Sequence, residues 1–157
     1  MDKHTNKFPI IGNLNILFIY LYQTSVLNSF ANKSITYTVD NKEIIQEFLT
    51  ETRDRISNGV DITFSAKASS ELEYLMLEYN ITADDIEYAI LNLSTENYYT
   101  GIDPSGKGDF DVCAFRTLIG KDNIEIYLKY GLETNDLQIL IFSNHIPDYP
   151  MDQPFKN

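Results

Sequence analysis

Apolar residues recur along this chain at two periods, and the change from one to the other predicts its elements. Before Asp40, "ITYTV" alternates as a strand. After it, Ile44, Ile45, Phe48, Leu49 and Ile56 fall on one face of a helix over "DNKEIIQEFLTETRDRI", with Asp40 placed to cap it. Asn58-Gly59 is a turn signal and "VDITFS" alternates again. Leu72, Leu75, Met76 and Tyr79 then return at helical spacing, which predicts a second helix opening at Ser69 or Ser70 with Glu73 reaching back. Thr82 and Asp85 have the spacing of a capping box before Ile86, Ile90 and Leu93, the apolar side of a third helix. Its acidic first turn, Asp84, Asp85 and Glu87, suits the positive end of a helix dipole.

The final third changes to a period of two. "TGIDPSGKGDF", with three glycines and a proline, reads as a loop. "FDVCAFRTLI", "IEIYLKYG" and "LQILIFS" follow as strands, joined by connections so short that adjacent antiparallel hairpins are predicted. Pro147 and Pro150 end regular structure, leaving "DYPMDQPFKN" as a loose tail. The predicted class is α+β, with helices packed on a three- to four-stranded antiparallel sheet and an extra N-terminal segment. Residues 1–57 form that extension, 58–147 the α+β domain and 148–157 the tail.

A two-residue turn at Lys121-Asp122 sets a register. It pairs Ile119 with Ile124, Thr117 with Ile126 and Phe115 with Leu128, so one face is apolar and turned to the helices. The other face receives Arg116 opposite Tyr127, with Lys129 two residues along and Glu125 on the near side. His145 ends the last strand.

Charge and composition narrow the chemistry. The length of 157 residues, 43% of them hydrophobic, suits one domain. The formal charge is −11, and the excess lies wholly after Ser57, where seventeen Asp/Glu face six Lys/Arg. Such a field repels phosphate backbones and attracts basic partners, which disfavours generic nucleic-acid binding. The single cysteine, Cys113, permits no intramolecular disulfide and suits a reducing cytoplasm, and its apolar neighbours make it a structural thiol. Lys3 and Lys7 before "IIGNLNILFIYLYQTSVLNSFA" give the start the outline of a secretory signal. The uninterrupted apolar run, Ile16 to Tyr22, is short for that and far short of a membrane span, so a buried helix or strand is the plainer reading.

Within this frame Arg116, Lys129 and Tyr127 on a solvent-facing sheet are able to bind a phosphate and offset charge that develops when a phosphodiester is attacked. A histidine at His145 adds proton exchange, its ordinary range lying near neutrality. Together they suffice for metal-independent RNA cleavage by the 2′-hydroxyl. Charged and aromatic cross-strand pairs also stabilise the exposed face of any antiparallel sheet, and spacing alone favours that plainer role.

The order of elements, with "LSTENYYTG", "FDV" and "IEIYLKY" followed by a strand ending in "FSNH", resembles the motility quorum-sensing regulator (MqsR) toxins. The resemblance covers Ser69 to Ile146. It implies a small bacterial ribonuclease of a toxin–antitoxin system, a RelE-like fold, and a cognate antitoxin as partner. On that resemblance Tyr127 matches the family's catalytic tyrosine, Lys129 the lysine beside it, and His145 falls near the late basic residue. Thr100 and Phe110 stand where the family has a lysine and a glutamine, and the family's basic surface is replaced by an acidic one. Ser65-Ala66-Lys67-Ala68 is similar to a Ser-x-His-Ala phrase of other RelE-like toxins, with Lys67 in the histidine's place.

A different function fits the charge more directly. Glu71, Glu73, Glu78, Asp84, Asp85 and Glu87 lie on adjoining helices, interleaved with Tyr74, Tyr79 and Tyr88. Aromatic residues among charges mark interfaces, so the chain also reads as an acidic module that binds a basic protein or imitates nucleic acid toward one. An acidic helix face also serves solubility alone. No cofactor is called for: "DPSGKGD" lacks the spacing of a phosphate loop, Asp103, Asp109 and Asp111 lack a calcium loop's closing glutamate, and His4 and His145 make no zinc site by themselves.

Overall fold

The computed structural model describes residues 41–104 and 109–156, all within one compact unit, Thr36–Asn157. The signal-like start, the "ITYTV" strand, the Asp40 cap and residues 105–108 of "DPSGKGD" lie outside the described residues. In chain order the elements are α1 (Lys42–Ser57), β1 (Ile62–Phe64), α2 (Ala66–Tyr79), α3 (Ala83–Asn92), a 3₁₀ turn (Thr95–Asn97), β2 (Tyr98–Pro104), β3 (Phe110–Ile119), β4 (Ile124–Glu133) and β5 (Ile139–His145). The class is α+β. Among the described residues no helix is long and apolar enough to cross a membrane.

Caps decide where the helices begin. The Asn41 side chain accepts from the Glu43 amide and starts α1. Ser65 rather than Ser69 or Ser70 starts α2, accepting from the Ala68 amide, so that helix begins a turn earlier than its apolar spacing suggests. The capping box of Thr82 and Asp85 opens α3 as its sequence predicts. Burial follows the predicted face in α1 and α3, through Ile45, Phe48, Leu49, Ile86 and Ile90. In α2 it does not: Ala68 and Leu75 are buried, while Met76 and Tyr79 look outward.

Among the described residues the sheet is mixed and five-stranded, in the order β1-β5-β4-β3-β2. This corrects the expected three- to four-stranded antiparallel sheet in two places. β1, the "VDITFS" segment, joins it parallel to β5, Ile62 to Phe64 against Ile139 to Ile141, a pairing between segments too far apart in sequence for alternation to reveal. β2 occupies the first half of the presumed loop. It holds its edge position through two irregularities, between Tyr98 and Thr100 and between Gly101 and Asp103. Gly101 has φ +114 and lies so close to Val112 and Cys113 that a Cβ would overlap their backbone. The β3–β4 hairpin keeps the predicted register throughout, including Arg116 against Tyr127.

The core lies between the helices and one face of the sheet. Phe48 of α1 meets Phe115 and Tyr130 at ring separations of 6.2 and 5.2 Å, and the Tyr130 hydroxyl bonds to that of buried Thr52 at 3.1 Å. The helix grouped with the N-terminal extension on sequence grounds thus supplies the centre of the core. Two of its arginines anchor it further. Arg53 Nε donates to the Leu91 carbonyl at 3.1 Å and its other arm to that of Leu93, satisfying the open C-terminal end of α3. Arg55 donates to the carbonyls of Asp136 and Gln138 in the β4–β5 connection. The tail is also tied down: Met151 is buried, Phe155 packs on Tyr98 at 5.5 Å, and Gln153 donates to the Glu96 carbonyl.

β5 carries one extra residue. Its register against β4 shifts between Lys129 and Tyr130, because Lys129 opposes Ser143 whereas Tyr130 opposes Ile141, and Phe142 is unpaired. Past Ile141 no strand among the described residues lies beside the outer edge of β5, and α2 takes over. Ser65 N and Oγ donate to the carbonyls of Ile141 and Phe142, and the Glu71 carboxylate accepts the Asn144 amide at 2.8 Å. The same shift turns Asn144 opposite Leu128, into the core, where neither atom of its side-chain amide finds a partner.

Two substitutions test this packing. Phe48→Ala is expected to lower stability by about 3–5 kcal/mol while urea unfolding remains a single transition, since α1 and the sheet share one core. Asn144→Val is expected to raise stability by about 1 kcal/mol in the same measurement, because it removes a buried amide that bonds to nothing.

Candidate functional site

The strand shift at Phe142 determines which face His145 occupies. Strict alternation from Ile139 and Ile141 would send residue 145 into the core. With one residue added it lies opposite Tyr127 on the other face, and the two rings stack at 5.1 Å with 18° between their planes. Tyr99 of β2 meets Tyr127 edge-on from the far side, at 6.2 Å and 77°. Tyr127 is half-buried between them.

Two polar details define what this pair can do. His145 Nδ1 lies 2.9 Å from the Ile146 carbonyl oxygen. A carbonyl only accepts, so Nδ1 donates this bond, which in the neutral tautomer leaves the lone pair on Nε2. Desolvation raises the Tyr127 phenol above its ordinary range, and the neighbouring Tyr99 and Glu71 push it the same way. Tyr127 is therefore a neutral hydrogen-bond donor at physiological pH, not a base.

The cations at the site differ. Arg116 forms an ion pair with Glu125 and donates to Gln153 Oε1 at 3.4 Å, so its charge is partly offset. Lys129 lies between Ala114 and Ser143 in the sheet register and has no hydrogen bond or ion pair with a described residue. Lys67 donates to Ser143 Oγ at 3.2 Å and lies 3.4 Å from Glu71 Oε1. Ser143 Oγ in turn donates to Glu71. The chain Lys67–Ser143–Glu71 holds β5 beside α2, next to His145.

All four residues singled out in the sequence therefore share one sheet face: Arg116, Tyr127 and Lys129 directly, His145 through the shift. Glu71 departs from its expected place in an exposed acidic stripe, its side chain being 17% exposed and committed to the edge of β5. Tyr99 is an addition. The sequence signal for it was the "NYY" repeat, which assigns no face until β2 is known to be a strand. Thr100 pairs with Ala114 in β2, and Phe110 packs edge-on against Phe142 at 5.6 Å, an apolar role. Among the described residues no cluster of three or more His, Cys, Asp or Glu is disposed to hold a metal ion. Cys113 is buried, its thiol pushed far up by desolvation, with Asp111 adding to the effect.

The Tyr127 environment gives a pH test. Its folded-state pKa lies above the ordinary 10.0, so its contribution to stability is complete below that pH and is lost as pH rises through the folded-state value. Tyr127→Phe, which cannot ionise, is expected to lose less stability than wild type above pH 10 in parallel urea titrations. Comparison of the chain with protein-family models, with curated proteins and with solved structures finds no match.

Proposed function

We propose that the Tyr127–His145 face is a metal-independent endoribonuclease site of the toxin type, in a chain related to the MqsR toxins. The observation that carries this reading is the stacked pair itself. One ring nitrogen is left to accept a proton, and a phenol kept neutral by burial lies beside it, with Lys129 and Arg116 on the same face.

In this reading a phosphodiester of single-stranded RNA lies across β3 to β5. His145 Nε2 takes the proton from the 2′-hydroxyl, whose oxygen forms a bond to phosphorus as the bond to the 5′ oxygen breaks. Tyr127 donates a hydrogen bond to a non-bridging oxygen, and Lys129, with Arg116 further along the face, offsets the charge that grows there. The leaving 5′ oxygen takes its proton from water. The products are a 2′,3′-cyclic phosphate and a 5′-hydroxyl end. A cognate antitoxin covering the sheet face completes the proposal.

The test is cleavage of a mixed-sequence RNA by the purified chain in the presence of a metal chelator, with the ends of the products identified. Wild type is expected to yield cyclic phosphates. His145→Ala and Tyr127→Phe, folded as judged by circular dichroism, are expected to lower the rate by roughly 10²–10⁴ and by a smaller factor respectively. Intact RNA after prolonged incubation with wild type removes the reading.

A further inference from the structure

An open cleft of about 980 Å³ lies between α2 and the end of β5, and its composition is not that of a site for a polyanion. Tyr74 and Tyr79 form one wall, their rings 6.2 Å apart and 70° to one another, 53% and 36% exposed. Asp148 stands on the other side. Glu78, the residue before Tyr79, acts electrostatically on Tyr74. The lysine that reaches the cleft, Lys67, is paired with Glu71. We propose that this cleft takes an arginine side chain from a basic segment of a partner protein, seated on the Tyr74–Tyr79 pair beside Asp148.

The chemistry favours that guest over others. A cation over the face of a tyrosine is attracted by the ring's quadrupole, and the Asp148 carboxylate in the same cleft adds to the attraction. A planar guanidinium stacks on a ring while its edge donates to carboxylates, which a compact ammonium does less well. The field of a chain with net charge −11 draws basic segments in and opposes nucleic acid at this wall. Leu77, 80% exposed and three residues beyond Tyr74 on the same helix face, extends the surface with an apolar contact for the residues flanking the arginine. The hydroxyl of Tyr74 is held above the ordinary phenol range, chiefly by the neighbouring Tyr79, so it stays an uncharged ring for the guest.

None of this requires RNA cleavage, because Arg116, Tyr127 and Lys129 take no part. A guest seated here would nevertheless lie against His145, which lines the same cleft.

The experiment is fluorescence anisotropy of a labelled short peptide carrying three arginines spaced by leucine and serine, titrated with the full chain. A matched peptide with citrulline at the three positions is titrated alongside. Wild type is expected to bind the arginine peptide at least tenfold more tightly than the citrulline one. Tyr74→Ala and Tyr74→Leu are expected to weaken binding about tenfold, and Tyr74→Phe to preserve it. Tyr88→Ala, which removes an exposed tyrosine among acids on α3, is expected to change nothing. Equal affinity for the citrulline peptide, no binding of either peptide, unchanged affinity in Tyr74→Ala, or an equal loss in Tyr88→Ala each overturns the proposal. The last outcome would reduce the effect to diffuse attraction by an acidic surface.

Discussion

The rest of the site depends on one residue too many in β5. Phe142 has no partner across the ladder, and everything beyond it is turned over relative to what precedes it. That inversion brings His145 against Tyr127 and Ser143 beside Lys129, and it sends Asn144 inward with its amide unanswered. An inward-facing polar side chain and an outward-facing histidine are two results of the same geometric event. The unbonded amide is a destabilising consequence of assembling this face, of the kind tolerated where arrangement matters more than stability.

The bulge would be poorly held without a neighbour for the free edge of β5. β1 is only three residues long and ends where the shift begins. From there the N-terminal half of α2 supplies acceptors and donors in its place, with Ser65 at the cap and Glu71 one and a half turns later. Helix and strand are thereby locked at the end of the sheet that carries the aromatic stack. The acidic side chain performing this task also raises the pKa of Tyr127, so the edge closure and the protonation state of the phenol are physically connected.

What the sequence revealed, and what it hid, follows from how far each signal had to reach. The β3–β4 hairpin was legible because its turn is short, its alternation is regular and no residue is added between Ile119 and Glu133, so Arg116, Tyr127 and Lys129 were assigned to one face correctly. The capping box of α3 is written in adjacent residues. By contrast, β1 joins a partner that follows it by more than seventy residues, and β2 includes glycine, aspartate and proline, which read as a loop but which an edge strand with two irregularities accommodates. The shift at Phe142 leaves no local trace in "ILIFSNH", four apolar residues followed by three polar ones, a run that does not alternate and so fixes no face. His145 was placed near the site by its position at the strand end, and its face was set by a feature that only the pairing shows. The start of α2 was misjudged for a simpler reason. Apolar spacing begins at Leu72, whereas the helix begins at its cap.

Beyond the Arg55–Glu51 ion pair within the helix itself, the hydrogen bonds of Arg53 and Arg55 of α1 go to backbone oxygens, at Leu91 and Leu93 and at Asp136 and Gln138. Every amino acid brings a carbonyl to those positions, so the receiving sites can drift in sequence, as far as these bonds are concerned, without loosening the helix. The donors have no such freedom, since a forked, permanently charged group that spans two oxygens has no close substitute among the other side chains. Divergent copies of this fold should therefore keep two arginines two residues apart on the first helix while the loops they hold change around them.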